Sequence, residues 1–533
     1  MSKVMYRIAG GDYERAGAAS GSLKEMLKKV GVEPAALRRA MIAAYEAEAN
    51  VVIHARGGEM RVSLDDGVLD VEVADEGPGI PDIEEAMREG FSTASPAARE
   101  LGFGAGMGLP NIRKNVDRFE IASTVGCGTT VRFRIWFAAQ AGGRVASGGV
   151  RVVAEACTGC LRCLRACPTA ALRVRGRRPE VLEALCTGCG ACIRACEAGA
   201  LGLADAREAF EELAGAPLVV PAVLLEMFAP RILPAEVVAA LRELGFGEVS
   251  STASWEAALR EAVWGYAQDG SRRWPVLSPG CPAVVNLIET RFPSLLGLLA
   301  PFASPVEAAV SGAAGRDAVA VAACPAQCSV LAAARGRPRA ALAPRLLVQA
   351  LARRAAEGGR GAGVGSAECG VRNAECGRGA RTEGPEALRI TGLRGVLAAL
   401  EAAENGRLGD VPVLELWACE EGCFGSPMFR TEPAVARWRW ERSGAGEQIA
   451  SGPVPRAVRR ETAFAARRGV RLDDDMARAI EKLGRLDRLI GELPGLDCAV
   501  CGAPTCRALA EDVVLGRADV SACPLRKVQE DSP

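Results

Sequence analysis

Histidine is nearly missing: one, His54, stands among 533 residues. Zinc, Rieske or haem centres ligated through imidazole are thereby close to excluded, as is a histidine phosphoacceptor on this chain. An excess of one charge is missing too, because 65 Lys and Arg meet 65 Asp and Glu. That balance offers neither a nucleic-acid stripe nor a tether for acidic lipid, so no nucleic acid and no membrane is expected as a partner. No apolar run reaches the roughly eighteen residues of a membrane span, and the N-terminus MSKVMYRIAGGDYERAG lacks the apolar core of a signal peptide. The expectation is a cytoplasmic protein of roughly three to five domains, multidomain α/β and α+β in class.

What is abundant is cysteine. Sixteen of the twenty fall into sets with metal-ligand spacing. Cys157, Cys160, Cys163 and Cys167, followed by Pro168, make a C-x-x-C-x-x-C-x-x-x-C-P run. Cys186, Cys189, Cys192 and Cys196 repeat it, with Glu197 where proline is usual. Both runs carry Thr-Gly inside the first C-x-x-C, supplying the small residues a tight turn needs. Zinc ribbons compete for such a pattern but seldom gather four thiols so densely. Thiols kept for metal require a reducing compartment, and this many suggest an oxygen-poor cell. A further set near the end, Cys498, Cys501, Cys506 and Cys523, has the frame C-x2-C-x4-C-x16-C.

The paired runs resemble the bacterial dicluster ferredoxin fold over residues 148–206. Its crossed ligation implies one [4Fe-4S] cluster on Cys157, Cys160, Cys163 and Cys196, and a second on Cys186, Cys189, Cys192 and Cys167. The final set, within residues 485–527, resembles the small four-cysteine [4Fe-4S] domain of electron-transfer and corrinoid proteins.

Upstream, EPAALRRAMIAAYEAEAN has helical periodicity from Glu33 to Asn50 and places Glu46 and Asn50 one turn apart on one face. Alternating segments MRVSL and VLDVEVA read as strands ending at Asp75. The turn DEGPGI and the segment GFGAGMGLPNI follow, the latter running into a helix that begins near Pro110. An amide at Asn50 can hold Mg²⁺, a carboxylate at Glu46 can take a proton from an attacking hydroxyl, and Asp75 can accept from an adenine amine. Gly102, Gly104, Gly106 and Gly108 let backbone N–H groups approach phosphate at a helix N-terminus, and Gly77 and Gly79 of the DEGPGI turn are further candidates for binding the nucleotide. In this order the motifs resemble the GHKL ATPase fold, an α/β sandwich, over residues 1–140. The segments EAEANVVIHA, DEGPGIPDIEEAMREGFST, GFGAGMGLPNI and VGCGTTVRF are nearest to anti-sigma-factor and stress-switch serine kinases. The resemblance implies ATP and Mg²⁺, Glu46 as general base, Thr129 as a nucleotide contact, a STAS-type or sigma-factor-pathway protein substrate, and a homodimer. A degenerate domain that binds ATP without transferring phosphate is the competing reading. Cys127, between turn glycines, reads as incidental, and His54 as packed.

In the centre, three strand-like segments each end in cysteine: WPVLS before Cys281-Pro282, AVAVAA before Cys324-Pro325, and VPVLELWA before Cys419 and Cys423. Proline opens the first two following helices, where the dipole favours a thiolate. LSPGCPAVVNLIETRFPSLL, ACPAQ and ELWACEEGCFGSP resemble the C-terminal domain of the [FeFe] hydrogenase catalytic chain, the large one, over residues 214–435. The resemblance implies a cubane on Cys281, Cys324, Cys419 and Cys423, leaves a diiron subsite open, and exposes departures. Gly280 stands where the catalytic family has a proton-relaying cysteine, Gln327 where it has a lysine, and Trp417 where it has a methionine. Such relays contribute about 10²–10⁴ in rate, so hydrogenase activity is expected weak or absent, as in sensory hydrogenase-like proteins. Cys328 reads as a buried thiol. Low-complexity residues 354–386, with Cys369 and Cys376 in an AECG repeat, read as a disordered insertion, and residues 436–484 as a linker with one helix.

Four [4Fe-4S] clusters beside an ATP site suggest a redox or H₂ sensor coupled to serine/threonine phosphorylation, exchanging electrons with a redox partner protein. The alternative is a working [FeFe] hydrogenase or electron carrier with a vestigial ATP-binding domain.

Overall fold

The computed structural model describes residues 2–65, 67–94, 98, 104, 106–137, 149–204, 206–207, 213–269, 273–312, 318–333, 340–358, 387–443, 456–460, 462–467 and 471–526. Gly102, Cys369 and Cys376 lie outside them, as does most of the expected insertion. The helix Pro344–Gly358 enters that insertion's predicted range, because PRLLVQALARRAAEG keeps a helical apolar stripe before the glycines begin.

The N-terminal domain is an antiparallel sheet ordered β1-β2-β3-β5-β4. Its strands are β1 Ser2–Ala9, β2 Gly57–Asp65, β3 Val68–Asp75, β4 Arg118–Thr124 and β5 Gly128–Trp136. Alternation decides the faces: Met60, Val62, Leu64, Leu69, Val71, Val73, Phe133 and Ile135 point into the core. They meet Leu23 and Leu27 of helix α1, Ala18–Val30, and Leu37 and Met41 of helix α2, Pro34–His54. The opposite face carries ion pairs such as Arg134–Asp70 and Arg132–Glu72.

The same core continues into the far end of the chain. Leu472, Ala479, Leu483, Leu486 and Leu489 pack into it, together with Ala508, Leu509 and Val513. Here the expected linker 436–484 needs correction. It begins inside the helix Pro433–Ser443 and ends inside the helix Met476–Glu492, which Asp475 caps by accepting from the Arg478 amide at 2.9 Å. The apolar stripe of that second helix is short of aromatics and interleaved with Arg and Lys, which disguises it as linker composition. Between the helices, Arg460 pairs with Glu307 at 2.9 Å and Arg467 with Glu289 at 2.8 Å, strapping the segment to the central domain.

Each cysteine run of the second domain leads into a short helix, Arg162–Ala166 or Ala191–Ala195, and two strand pairs close the unit. The central domain has two parallel sheets, one of five strands and one of three. Strands Val319–Val321 and Val413–Trp417 are wholly buried, as parallel strands covered on both faces must be.

Charged contacts tie the domains together. Lys24 of α1 forms an ion pair with Glu404, which is 0% exposed and also accepts from Ser294. Lys28 donates to the Arg291 carbonyl, and both ammonium groups lie over the Phe292 ring, 4.4 and 5.2 Å from its centroid. Burial pulls Lys24 down to about 8. On its other side, α1 pairs Lys29 with Glu511.

Candidate functional site

Helix α2 delivers Glu46 and Asn50 to one opening. Asn111 donates through Nδ2 to Glu46 Oε1 at 2.8 Å. Burial raises the Glu46 carboxyl above the usual range, and the Asn111 hydrogen bond opposes this. Gly108 lies against both side chains: a Cβ there would meet Asn50 Oδ1 at 3.1 Å and Glu46 Oε2 at 3.4 Å. Across the opening, Asp75 Oδ1 accepts the Gly77 amide at 2.8 Å and the Thr129 amide at 3.2 Å. Ser123 holds Thr129 Oγ1 at 2.9 Å and accepts from the Ile80 amide at 2.7 Å. At Gly128, with φ +113°, a Cβ would fall 2.0 Å from the Asp75 carbonyl, so only glycine allows this approach of β5 to β3. Gly79, Gly104 and Gly106 also have positive φ, and the Gly90 amide donates to the Gly106 carbonyl at 2.9 Å. His54 is half-buried, and burial lowers its pKa. Sequence reasoning missed Asn111 and Ser123; Asn111 sits inside the quoted GMGLPNI segment, where its amide was the available signal.

In the second domain one cavity is lined by Cys157, Cys160, Cys163 and Cys196, a set drawn from both runs. Cys167, from the first run, stands near Cys186 and Cys192, whose thiols it pushes upward together with Cys189. Desolvation is the larger cause and takes Cys186 up to about 11. Cys189 in turn feels Cys281 of the central domain. There the Gly188 carbonyl accepts from the Ala326 amide at 2.9 Å, and Asn286 donates to the Thr187 carbonyl at 3.0 Å.

The three central segments bring Cys281, Cys324, Cys419 and Cys423 together. Burial raises all four thiols, and mutual repulsion raises Cys324, Cys419 and Cys423 further. Amides of Ala283, Val284 and Ala418 partly offset this at Cys281. Gln327 accepts from the Ala323 amide at 2.7 Å and aims Nε2 at Cys423 Sγ, 3.8 Å away. Cys328 is buried. Gly280 has no left-handed φ; a Cβ there would meet Trp417 Cζ2 at 3.5 Å, Ser278 Oγ at 3.6 Å and Leu259 at 3.7 Å, all ordinary contacts. Beside Gly280 lies a narrow cavity lined by Glu256, Arg260, Ser278 and Glu415. Glu415 accepts from Trp417 Nε1 at 3.0 Å and from Arg260 at 3.2 Å, and burial pushes Glu256 up to about 7.

At the C-terminal set, Cys501 is raised by burial and by Cys523 and Cys498. Cys506 opens the helix Cys506–Val514, and Asp497 accepts its amide at 2.7 Å.

These thiols fit iron-sulfur clusters. Desolvation and neighbouring sulfurs make Cys186, Cys192, Cys324, Cys419 and Cys423 resist ionisation on their own, whereas bound iron would deprotonate them and neutralise the charge. Among the described residues no group of three His, Cys, Asp or Glu closes around a single ion. A cubane asks for a wider ring of sulfurs, set around an inorganic core.

Four family models match successive segments: histidine kinase-like ATPase domain over residues 11–135, 4Fe-4S dicluster domain over 149–197, iron only hydrogenase large subunit, C-terminal domain over 215–328, and an Fe-S cluster family over 493–525. The chain is 31% identical over 117 residues to the serine/threonine-protein kinase RsbT of Bacillus subtilis, covering 21% of this chain and 82% of that one. It is 38% identical over 95 residues to the anti-sigma F factor of Caldanaerobacter subterraneus, covering 17% and 63%. It thus spans less than two thirds of that factor's length. Among solved structures, an [FeFe]-hydrogenase studied for oxygen inactivation aligns at TM-score 0.33 and 13% identity over 48% of this chain and 95% of that one. An [FeFe]-hydrogenase of Chlamydomonas reinhardtii aligns at TM-score 0.30 and 13% identity with the same coverage.

Proposed function

Through its first domain the chain belongs to the histidine kinase-like ATPase family, and from that premise we propose that it is an iron-sulfur redox or H₂ sensor whose cluster state governs ATP-dependent phosphorylation of a serine or threonine on a sigma-factor-pathway partner. The observation that carries this reading is the buried pairing of Lys24 with Glu404. It seats α1 against the central domain beside Arg291 and Phe292, at the far end of the helix that begins after Cys281. A rearrangement at the central thiolates thus has a packed route to the ATPase core.

The chemistry at the ATP opening follows from its residues. Asp75 would accept from the adenine amine, and Asn50 would hold Mg²⁺ through its amide oxygen. Backbone amides near Gly104, Gly106 and Gly108 face the anionic oxygens. Glu46 accepts the proton of the attacking hydroxyl through a carboxylate that Asn111 keeps oriented. The ligand sets are Cys157, Cys160, Cys163 and Cys196; Cys186, Cys189, Cys192 and Cys167; Cys281, Cys324, Cys419 and Cys423; and Cys498, Cys501, Cys506 and Cys523. Clusters so held supply reversible one-electron storage. Rapid H₂ turnover is not part of the reading, because Gly280 and Gln327 offer neither a thiol nor an ammonium group.

The test is anaerobic phosphorylation of a STAS-type partner from the same genome, with dithionite-reduced, H₂-exposed and oxidised protein compared. A several-fold difference in initial rate is expected. Equal rates in all three states would sink the proposal.

A further inference from the structure

The C-terminal ligand set is pressed against the second domain through a packed, hydrogen-bonded contact. Gly502 follows Cys501 directly, and its carbonyl accepts the Val174 amide at 2.9 Å. Val174 lines the cavity bounded by Cys157, Cys160, Cys163 and Cys196. Ala499, between Cys498 and Cys501 and 4% exposed, packs in one apolar cluster with Cys163, Leu164 and Val174. Gly502 has φ +78°, and a Cβ there would lie 1.8 Å from the Val174 carbonyl, so only glycine permits the approach.

The docking is fixed from below by Arg173 and Arg175, both donating to Asp512 at 2.5 Å; Arg173 and Asp512 are 2% and 1% exposed. A charge pair this deep in the protein loses heavily if either partner is withdrawn, which holds the two domains in one register. Electron tunnelling decays steeply with distance and runs best through bonds, hydrogen bonds and packed atoms. From Cys501 to the first cavity the structure offers one peptide unit, one hydrogen bond and one side chain.

We propose that the C-terminal cluster exchanges electrons directly with the cluster on Cys157, Cys160, Cys163 and Cys196, making it a station of an intramolecular path that continues through the Cys189–Cys281 neighbourhood. The proposal rests on the reading that these thiols hold [4Fe-4S] clusters. The step moves one electron: the donor cluster is oxidised by one, the acceptor reduced by one, and no bond forms or breaks. Dithionite or a europium(II) chelate supplies the electron from outside.

The experiment uses the full chain with clusters reconstituted anaerobically, and electron paramagnetic resonance of the reduced protein without nucleotide or kinase partner. Subtracting the spectrum of Cys501→Ser from that of the wild type should leave a signal broadened by spin–spin coupling and relaxing faster than an isolated cluster. Gly502→Ala at unchanged iron content should lose that broadening. If Gly502→Ala does not fold, the Cys501→Ser difference spectrum decides alone. An unbroadened single-cluster difference signal overturns the proposal, as does a C-terminal set that takes up no iron. Phosphorylation indifferent to redox state would defeat the sensor reading and leave this result standing.

Discussion

The ATP opening and the hydrogenase-like pocket treat their reactive atoms in opposite ways. Glu46 on helix α2 and Asp75 at the end of the central strand β3 are each held by one or two hydrogen bonds, with oxygen atoms left to face a ligand. The central thiols are sunk among parallel strands, and where side chains that move protons are expected there is Gly280, a narrow cavity, and a glutamate–arginine–tryptophan cluster. On the function proposed above, the first site would turn substrate over and the second would hold charge in a shielded place. The lesson is that a complete ligand set and a complete reaction path are separable features of a fold.

The comparison breaks first at Glu46. Glu46→Gln should slow phosphotransfer by about 10²–10⁴-fold with ATP affinity little changed, measured by single turnover and equilibrium binding. Next comes the joint between the two sites. Lys24→Met strands the buried Glu404 carboxylate and should cost about 3–5 kcal/mol in anaerobic denaturant unfolding, with most of it regained in Lys24→Met combined with Glu404→Leu. Asp75→Asn removes a charged acceptor worth about 1.5–3 kcal/mol, a loss of roughly 10- to 150-fold in ATP affinity by calorimetry. A finer test is the acid limb of the phosphotransfer pH profile. The base must be ionised, so the rate rises with pH through the Glu46 pKa, and Asn111→Ala removes the bond that lowers it. The limb should move to higher pH. The smallest effect belongs to Gly280→Cys, whose side chain meets only ordinary contacts and should alter stability by less than about 1 kcal/mol with iron content unchanged. Loss of the cluster there would mean the shielded pocket tolerates no added thiol.

Much of both sites was legible because their chemistry is written in local spacing. The cysteine runs, the Asn50–Glu46 turn and the strand-Cys-Pro-helix junctions need only short-range geometry to be recognised. Asn111 was visible yet passed over, since nothing in GMGLPNI tells that its amide crosses to α2. The joints between domains were not legible at all: Lys29 and Glu511 stand 482 residues apart, and Arg173 and Asp512 339. A charged residue on a solvated helix and one awaiting a distant partner read alike until the fold brings them together. One helix was expected in this stretch, but the extent of Met476–Glu492 and its place in the first core were not read for the same reason, because its leucine stripe acquires meaning only against β1 and α1.

Helix α1 has consequences for anyone who would take this molecule apart. Lys24 and Lys28 face the central domain, while Lys29 and its apolar neighbours are covered by segments from the far end of the polypeptide. A recombinant fragment cut just past the last strand of the first sheet would therefore expose a greasy flank and three orphaned ammonium groups, and would tend to clump. Swapping that fragment for a homologous one would demand grafting the distant helices along with it, so the molecule is best engineered as a whole.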